Sequence, residues 1–239
     1  MKAIGIDIGT TGISGVLLDG ESGALLRAIT KNSNAFVESA ASYERIQSVD
    51  KILSVADGIL EELLEDGVGV IGVTGQMHGI LYYDKNGQAV SPLYTWQDHR
   101  AALPYGESTY AEHLGTRVGY GCATDFYNRE NGIVPKEAVG FCTVYDYLVM
   151  CLARLKRAPI HTTSAASFGC FDLCKKTFTN GLHADIKDGY ALAGSYRGIP
   201  ISVGIGDNQA SVLSTLTNED FALLNVGTGS QISVVSGEI

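Results

Sequence analysis

A short turn rich in glycine and threonine is the first place in this 239-residue sequence where chemistry could occur. Gly9, Thr10 and Thr11 follow a β-branched run that carries Asp7 near its end. Small residues in such a turn let backbone N–H groups approach phosphate oxygens, and the two hydroxyls add further donors. A carboxylate at the end of the preceding strand is placed to hold Mg²⁺. The pattern therefore predicts a phosphate site, with an ordinary glycine-rich hairpin as the alternative.

The same order of strand, glycine-threonine turn and strand returns near the end of the sequence. Residues 222–235 resemble residues 5–17 in this respect. Two such turns that face each other across a cleft would bracket a polyphosphate. The repeat indicates the start of a second copy of the whole unit, so we expect an intact protein to be about twice as long. The second phosphate turn consists of Gly227, Thr228 and Gly229.

Asp207 is the candidate general base. It follows an apolar strand-like segment, 199–203, and precedes a segment that we expect to be helical from 208 to 216. A carboxylate at a strand-to-helix junction points into the cleft that the strand ends line. In phosphoryl transfer to an alcohol, such a carboxylate can accept the hydroxyl proton. The alternative is a helix N-cap, in which the aspartate bonds the first turn of its own helix.

Two further motifs suit the recognition of a polyol. One follows a buried strand and offers amide and imidazole groups beside an apolar thioether, and the other contains the single tryptophan beside a carboxylate. Tryptophan packs against sugar C–H faces, while carboxylate and amide groups bind the hydroxyls. Structural histidine and buried tryptophan are equally good explanations of each motif taken alone. The six residues are Gln76, Met77, His78, Trp96, Gln97 and Asp98.

Hydrophobic periodicity indicates the elements that must position these groups. Three apolar runs joined by tight turns predict a meander over residues 3–29. Ser48 is placed to cap a helix, and 68–73 reads as a buried strand. The apolar positions at helical spacing in that helix are Val49, Ile52, Ala56, Ile59, Leu60 and Leu63. Thr143 is placed to cap another helix. This β-β-β-α-β order excludes a Rossmann or P-loop start, and it predicts an α/β fold.

Composition limits the classes of partner. The formal net charge is −9, and an acidic chain with no basic tract is a poor nucleic-acid binder. No apolar run approaches the length that crosses a bilayer, and no signal peptide precedes the first strand. The five cysteines contain no C-x-x-C pair, which argues against a zinc or disulfide framework. We therefore expect a cytoplasmic protein that binds neither nucleic acid nor membrane.

Four segments, taken together and in order, resemble the N-terminal half of the FGGY carbohydrate kinases. They read Gly-Ile-Asp-Ile-Gly-Thr-Thr at 5–11, Thr-Gly-Gln-Met-His-Gly at 74–79, Trp-Gln-Asp at 96–98 and Gly-Asp-Asn-Gln-Ala at 206–210. The resemblance implies an actin-like, ribonuclease H-like α/β domain with a mixed five-stranded sheet flanked by helices. It assigns residues 1–219 to the sugar-binding, catalytic-base domain and residues 220–239 to the first hairpin of a nucleotide-binding domain.

The resemblance also implies roles and ligands. Asp207 would take the proton from the sugar hydroxyl, and Asp7 would organise Mg²⁺. Both phosphate turns would contact ATP, and the six polyol-motif residues would lie along the sugar site. The expected partners are ATP and a ketose, with a homodimer left open. One departure is His99, because the family more often has glycine before the arginine, and this leaves the exact ketose in doubt.

Two functional classes follow from the resemblance. The first is an ATP-dependent ketose kinase that phosphorylates a terminal hydroxyl, and the flanks of the motifs favour sedoheptulose, giving sedoheptulose 7-phosphate, over xylulose. The second is a non-catalytic sugar-binding half. We expect a polypeptide of these 239 residues alone to be inactive, because transfer requires a domain to close over the nucleotide and sugar and exclude water.

Overall fold

The structure is a computed structural model that describes residues 1–182, 184–215, 222–226 and 230–234. It confirms the expected α/β fold, with one large mixed sheet and flanking helices. The helices of the described residues are α1 (Val49–Leu63), α2 (Tyr110–His113), α3 (Gly121–Glu130), α4 (Val144–Leu152), α5 (Thr162–Ser167) and α6 (Asp207–Thr215), together with a 3₁₀ turn at Arg100–Ala102.

The strands differ greatly in length, and only the longer ones build the large sheet. In chain order the strands of the described residues are β1 (Lys2–Ile8), β2 (Gly12–Asp19), β3 (Leu25–Asn32), β4 (Phe36–Val37), β5 (Ile46–Gln47), β6 (Val68–Gly75), β7 (Leu81–Asp84), β8 (Leu93–Tyr94), β9 (Pro104–Tyr105), β10 (Ser108–Thr109), β11 (Ala138–Cys142), β12 (Ile160–His161), β13 (Phe171–Asp172), β14 (Thr177–Phe178), β15 (Ile186–Lys187), β16 (Leu192–Tyr196), β17 (Ile199–Ser202), β18 (Ile205–Gly206), β19 (Ala222–Val226) and β20 (Ser230–Val234).

The large sheet has the order β16-β17-β6-β1-β2-β3, and β18 also pairs with β6. The predicted meander is confirmed, because β1, β2 and β3 pair antiparallel in succession. The sheet becomes parallel at its centre, where β6 lies between β1 on one side and β17 and β18 on the other. This arrangement brings the carboxyl ends of β1, β6 and β18 to the same edge.

The sheet contains seven strands among the described residues, not the five expected from the resemblance. Counted from β3, the fifth strand of the sheet is divided into β17 and β18. The division lies at Gly204, which packs on the ring of Tyr145. A Cβ at Gly204 would lie 2.7 Å from the Tyr145 Cδ2 atom. The seventh strand, β16, joins β17 through Arg197 and Gly198, which both have positive φ as a tight hairpin turn requires.

Helix α1 covers one face of the sheet as the periodicity predicted. The Ser48 hydroxyl accepts a hydrogen bond from the Lys51 N–H, and the helix buries Val49, Ile52, Ala56, Ile59, Leu60 and Leu63. The helix approaches β2 most closely at Gly15, where a Cβ would lie 2.3 Å from Ile59 Cγ2. A Cβ at Gly58, in the middle of α1, would meet nothing beyond its own helix within 4 Å, so the two glycines have opposite surroundings.

We expect opposite effects from alanine at these two glycines. Gly15→Ala should lower the free energy of unfolding by about 1–3 kcal/mol, because a methyl group overfills the interface between α1 and β2. Gly58→Ala should raise it by about 0.5–1 kcal/mol, because alanine loses less backbone entropy in a helix. Urea unfolding of both variants measures this, and effects of the same sign would contradict the packing described here.

The second glycine-threonine segment is described only in part. β19 and β20 pair antiparallel from Ala222 with Val234 to Val226 with Ser230, as the predicted strand-turn-strand order requires. The turn residues Gly227, Thr228 and Gly229 lie outside the described residues, as does the predicted domain boundary at 219 and 220. None of the helices among the described residues is long and apolar enough to cross a membrane.

Candidate active site

Two aspartates lie on either side of β6 at its carboxyl end. On one side Asp7 is in register with Thr74, and on the other Gly206, which immediately precedes Asp207, is in register with Gly75. The Thr74 hydroxyl donates to the Ile205 carbonyl at 2.8 Å and ties β18 to β6. A groove of about 320 Å³ opens along this face of the sheet, and Asp7 and Thr74 are among its lining residues. The topology therefore brings two carboxylates to one open edge.

The two carboxylates influence each other. Partial burial raises the pKa of Asp7, and the negative charge of Asp207 raises it further. Burial also raises the pKa of Asp207, although the N–H of Asn208 opposes that effect. Groups held in this way bind a proton or a cation more readily than an exposed aspartate does. The pair has the character of a site for proton transfer or for a divalent cation.

The alternative assignment of Asp207 as a helix N-cap finds little support in its contacts. Asp207 is the first residue of α6, and its Oδ1 accepts a hydrogen bond from the adjacent Asn208 N–H at 2.8 Å. A capping side chain instead reaches the N–H two or three residues ahead. The contact orients the carboxylate without closing the first turn. The assignment of Asp207 as a general base remains a prediction.

Removing the charge of Asp207 should be visible in the protein without any ligand. Asp207→Asn should lower the pKa of Asp7, since it removes a repelling charge, and a ¹³C NMR titration of the Asp7 carboxyl measures this. Burial raises the pKa of both aspartates, and the charge of Asp207 raises that of Asp7 further, so the charged pair destabilises the fold above these pKa values and the effect vanishes below the ordinary value of 3.8. The variant should therefore have a higher Tm at pH 7 and not at pH values well below 3.8.

Asp66→Asn is the matched control for that experiment, because Asp66 is exposed on the turn after α1. It makes the same chemical change away from the pair. An Asp7 pKa that did not move in Asp207→Asn, or that moved equally in Asp66→Asn, would show that Asp7 and Asp207 do not interact.

The predicted phosphate turn is held by residues distant in sequence. The Thr10 carbonyl accepts a hydrogen bond from Gln47 Nε2 at 2.6 Å, and its hydroxyl accepts one from the Trp96 indole N–H at 3.0 Å. The Thr11 carbonyl accepts from the N–H of Ser33 at 3.0 Å. Position 9 requires glycine because the backbone of Gly12 lies close to it: a Cβ at Gly9 would lie 2.9 Å from the Gly12 carbonyl oxygen. The turn is therefore a fixed feature and not a loose hairpin.

The side chains of the two residues that follow β6 lie in different environments. Gln76 is only 2% exposed, and its Nε2 donates to Gln47 Oε1 at 3.0 Å. Its own Oε1 has no hydrogen-bond partner among the described residues. Met77 turns toward β18, where a Cβ at Gly206 would lie 2.5 Å from its sulfur. Met77 therefore packs against Gly206, the residue before Asp207, and Gln76 contacts the glutamine that binds the phosphate turn.

His78 is held in a strained backbone conformation with φ of 70°. Its ring stacks on Tyr120 with a centroid distance of 4.1 Å, and its Nδ1 lies 2.8 Å from the Ser167 carbonyl oxygen. Nδ1 must donate to that carbonyl, which leaves Nε2 as an acceptor in the neutral ring. Burial lowers the pKa of His78, against the opposing effect of the Ser167 carbonyl. A non-glycine residue kept at positive φ is typical of a functional position.

Trp96, the first residue of the tryptophan motif, is exposed, and its role as a sugar ligand stays a prediction. The Trp96 side chain is 46% exposed while its indole N–H binds Thr10. Its ring is therefore available to a ligand and also contacts the phosphate turn. A Cβ at Gly119 would lie 2.0 Å from the Trp96 carbonyl oxygen, so this glycine permits the backbone approach. Gln97 is partly buried.

The structure corrects the role predicted for Asp98. Its carboxylate is completely buried and accepts hydrogen bonds from Arg45 N–H, Arg100 N–H and the Arg100 guanidinium, at 2.7–3.1 Å. Arg100 is itself fully buried, and it also donates to Asn128 and stacks on Tyr94. A carboxylate enclosed in this way cannot accept sugar hydroxyls. Asp98 instead stabilises the loop that presents Trp96.

Comparisons with known proteins bear on the family and the fold of this chain. Residues 2–113 match the model of the FGGY family of carbohydrate kinases, N-terminal domain. Sedoheptulokinase from Homo sapiens is 34% identical over 286 residues, covering 96% of this chain and 58% of that protein. Sedoheptulokinase from Mus musculus is 32% identical over 283 residues, with the same coverage.

The N-terminal part of the chain belongs to the FGGY family of carbohydrate kinases. The resemblance inferred from the motifs is thereby confirmed. The chain spans a little over half the length of the curated relatives that it matches.

Comparison with solved structures supports the fold. The crystal structure of ligand-bound xylulose kinase from Lactobacillus acidophilus superimposes with a TM-score of 0.80 at 18% identity, covering 97% of this chain and 53% of that one. At that identity the likeness shows the fold alone, and it confirms the actin-like, ribonuclease H-like prediction. In this fold the edge of the sheet that carries Asp7 and Asp207 is the same edge at which the phosphate turn lies.

Three residues of the candidate site were not identified from the sequence as site residues. Ser167 and Tyr120 are distant from His78 in the sequence, and only the structure shows that they hold it. Gln47 carried no signal, because a single glutamine in a two-residue strand has no recognisable pattern. It is nevertheless fully buried and contacts both Thr10 and Gln76.

Proposed function

We propose that this chain is the sugar-binding and catalytic-base part of a kinase that transfers the γ-phosphoryl group of ATP to a terminal hydroxyl of a ketose. The observation that supports this best is the placement of Asp7 and Asp207 on the two sides of β6, beside the turn at Thr10. Phosphoryl transfer needs phosphate donors, a cation site and a base within one edge of a fold. These residue types lie together here.

Sedoheptulose is the proposed acceptor, with sedoheptulose 7-phosphate as the product. The support is the pair of sedoheptulokinases that match nearly the whole chain at 32–34% identity. A xylulose kinase from Lactococcus lactis matches at 25% identity, so xylulose is the competing acceptor. A non-catalytic sugar-binding role is the alternative from another class.

In the proposed mechanism Asp207 accepts the proton of the attacking hydroxyl, and its raised pKa makes it a better acceptor than an exposed aspartate. Trp96, Met77 and His78 would orient the sugar, with the imidazole Nε2 accepting a hydroxyl. Gly9, Thr10 and Thr11 would contact the phosphates of ATP. Gln97 and Gln76 remain proposed sugar ligands, and Asp98 acts only through the Trp96 loop.

Mg²⁺ fits the residues present, because the Asp7 carboxylate supplies an oxygen ligand at an edge where burial and the negative charge of Asp207 both raise its pKa. Mg²⁺ usually binds through one or two carboxylates and the substrate phosphates, so a larger cluster of acidic residues is unnecessary. When bound, the ion would neutralise charge on the transferred phosphate. Asp7 is the residue that we propose to hold it.

The proposed domain assignment gives residues 1–219 to the sugar-binding domain and 220–239 to the start of the nucleotide-binding domain. The support is that the matched relatives are almost twice as long, and that β19 pairs only with β20 among the described strands. Gly227, Thr228 and Gly229 would contact the nucleotide from that second domain. We place the enzyme in the cytoplasm, where ATP is available, and leave its assembly as monomer or homodimer to measurement.

The test compares phosphorylation of sedoheptulose and xylulose by the full-length kinase, at equal concentrations with ATP and Mg²⁺. We expect a higher kcat/KM for sedoheptulose. The 239-residue polypeptide alone should show no turnover near the roughly 1–100 s⁻¹ of kinases. A preference for xylulose would replace the proposed acceptor, and no phosphorylation of any ketose by the full-length protein would support the non-catalytic alternative.

A further inference from the structure

We propose that Gln47 is a positioning residue that locks the middle peptide of the phosphate turn. Its side-chain amide donates to the Thr10 carbonyl at 2.6 Å and accepts from Gln76 at 3.0 Å. Gln47 is fully buried, so neither contact is shared with solvent. The importance of Gln47 for catalysis rests on the proposed function, whereas its role in holding the turn does not.

The geometry of the peptide unit explains what this bond does. In a trans peptide the carbonyl of Thr10 and the N–H of Thr11 point in opposite directions. Gln47 holds the carbonyl on its own side, which directs the Thr11 N–H away from Gln47. The other orientation of a middle peptide belongs to turns with a residue at positive φ. Thr11 is β-branched and does not have positive φ, which favours the same orientation.

The orientation of the Gln47 amide is itself fixed. Only its Nε2 can donate to the Thr10 carbonyl, so its Oε1 must face Gln76 and accept from that side chain. Gln76 is then oriented with its own Oε1 unpaired among the described residues. One buried amide therefore determines the directions of two groups, the Thr11 N–H and the Gln76 oxygen. The two groups belong to the proposed phosphate and sugar subsites.

A second hydrogen bond holds the same turn through the side chain of Thr10. Trp96 donates to the Thr10 hydroxyl, and Trp96 follows β8, which pairs with β5 through Leu93 and Gln47. Gln47 thus lies in the small sheet β4-β5-β8, and Trp96 follows a strand of that sheet, so the same sheet positions both residues that bind Thr10. A change at Gln47 should consequently be detected at the indole N–H of Trp96.

The experiment uses ¹⁵N-labelled protein without ligand. Trp96 is the single tryptophan of the 239 residues, so its indole N–H signal needs no assignment. Gln47→Glu keeps the acceptor for Gln76 and removes the donor to Thr10, whereas Gln47→Met removes both. We expect both variants to shift the indole signal and the Thr11 amide signal. Gln88→Glu, the same change at an exposed residue, should shift neither.

A measurement on the unaltered protein guards against variants that fail to fold. A scalar coupling through the hydrogen bond should be detectable between Gln47 Nε2 and the Thr10 carbonyl carbon, and its absence would overturn the proposal. In folded variants, unchanged indole and Thr11 signals would also overturn it. These outcomes do not depend on any kinase activity.

Kinetic measurements with ATP and the ketose test whether the position of the turn matters for catalysis. With Mg²⁺-ATP as the probe, the full-length Gln47→Glu variant, which keeps the acceptor for Gln76, should show a KM for ATP raised roughly 2–10-fold, the effect of one lost hydrogen bond. The KM for the ketose should change less. Equal changes in both would indicate general loosening and contradict positioning of the turn. If the unaltered protein ignores ATP and ketose while the ligand-free signals behave as expected, the proposed function fails and the role of Gln47 in the turn stands.

Discussion

Asp207→Asn in the full-length kinase should reduce kcat for ketose phosphorylation by about 10²–10⁴-fold, the contribution typical of a general base. The asparagine has nearly the same shape and can still accept the Asn208 N–H, but it cannot take a proton. The affinity for the ketose should therefore stay close to that of the unaltered enzyme. Steady-state kinetics and calorimetry with sedoheptulose measure the two quantities separately.

The control for this variant is Asp66→Asn, which should leave both kcat and sugar affinity unchanged. A variant at Asp207 that kept near-normal turnover would remove Asp207 from the role of base. A variant that lost sugar affinity to the same degree as kcat would instead make Asp207 a binding residue.

The second large effect is on stability. Asp98→Ala should lower the free energy of unfolding by about 3–5 kcal/mol, because it leaves the buried Arg100 guanidinium without its carboxylate. Two of the remaining partners, Glu44 and Asn128, each contribute one contact to the guanidinium. Urea unfolding measures the loss. The change should weaken sugar binding only through the displaced loop at Trp96.

A double variant separates the ion pair from simple volume loss. Asp98→Leu combined with Arg100→Met removes both charges, and it should be less destabilised than Asp98→Ala, since replacing a buried pair by apolar residues is often tolerated. If Asp98→Ala were as stable as the unaltered protein and bound the ketose much more weakly, Asp98 would be a sugar ligand, as the motif first suggested.

Sequence reasoning succeeded where local pattern decides structure. The apolar spacing from Val49 to Leu63 and the cap at Ser48 act within one helix, and all six predicted positions are buried in the structure. The meander was similarly readable, because its turns join adjacent strands. Asp7 and Asp207 were each placed at the end of a strand-like segment, and the structure has Asp7 near the end of β1 and Asp207 directly after β18.

Sequence reasoning failed where tertiary contacts decide. Asp98 stands beside Trp96 in the sequence, and nothing in that spacing shows that its carboxylate turns inward to Arg100. The division of β17 from β18 depends on the packing of Gly204 against Tyr145, from another helix. Gln47 acts through hydrogen bonds to Thr10 and Gln76, 37 and 29 positions away, and Ser167 through hydrogen bonds to His78, 89 positions away; such contacts leave no periodic pattern in the sequence.

The most direct test of the central claim is the structure of the full-length kinase with bound ketose. We predict that the sugar lies between Trp96 and Met77, with its terminal hydroxyl oxygen about 2.6–3.2 Å from an Asp207 carboxylate oxygen, within reach for proton transfer. A ketose bound elsewhere, or bound here with its terminal hydroxyl directed away from Asp207, would contradict the proposed mechanism.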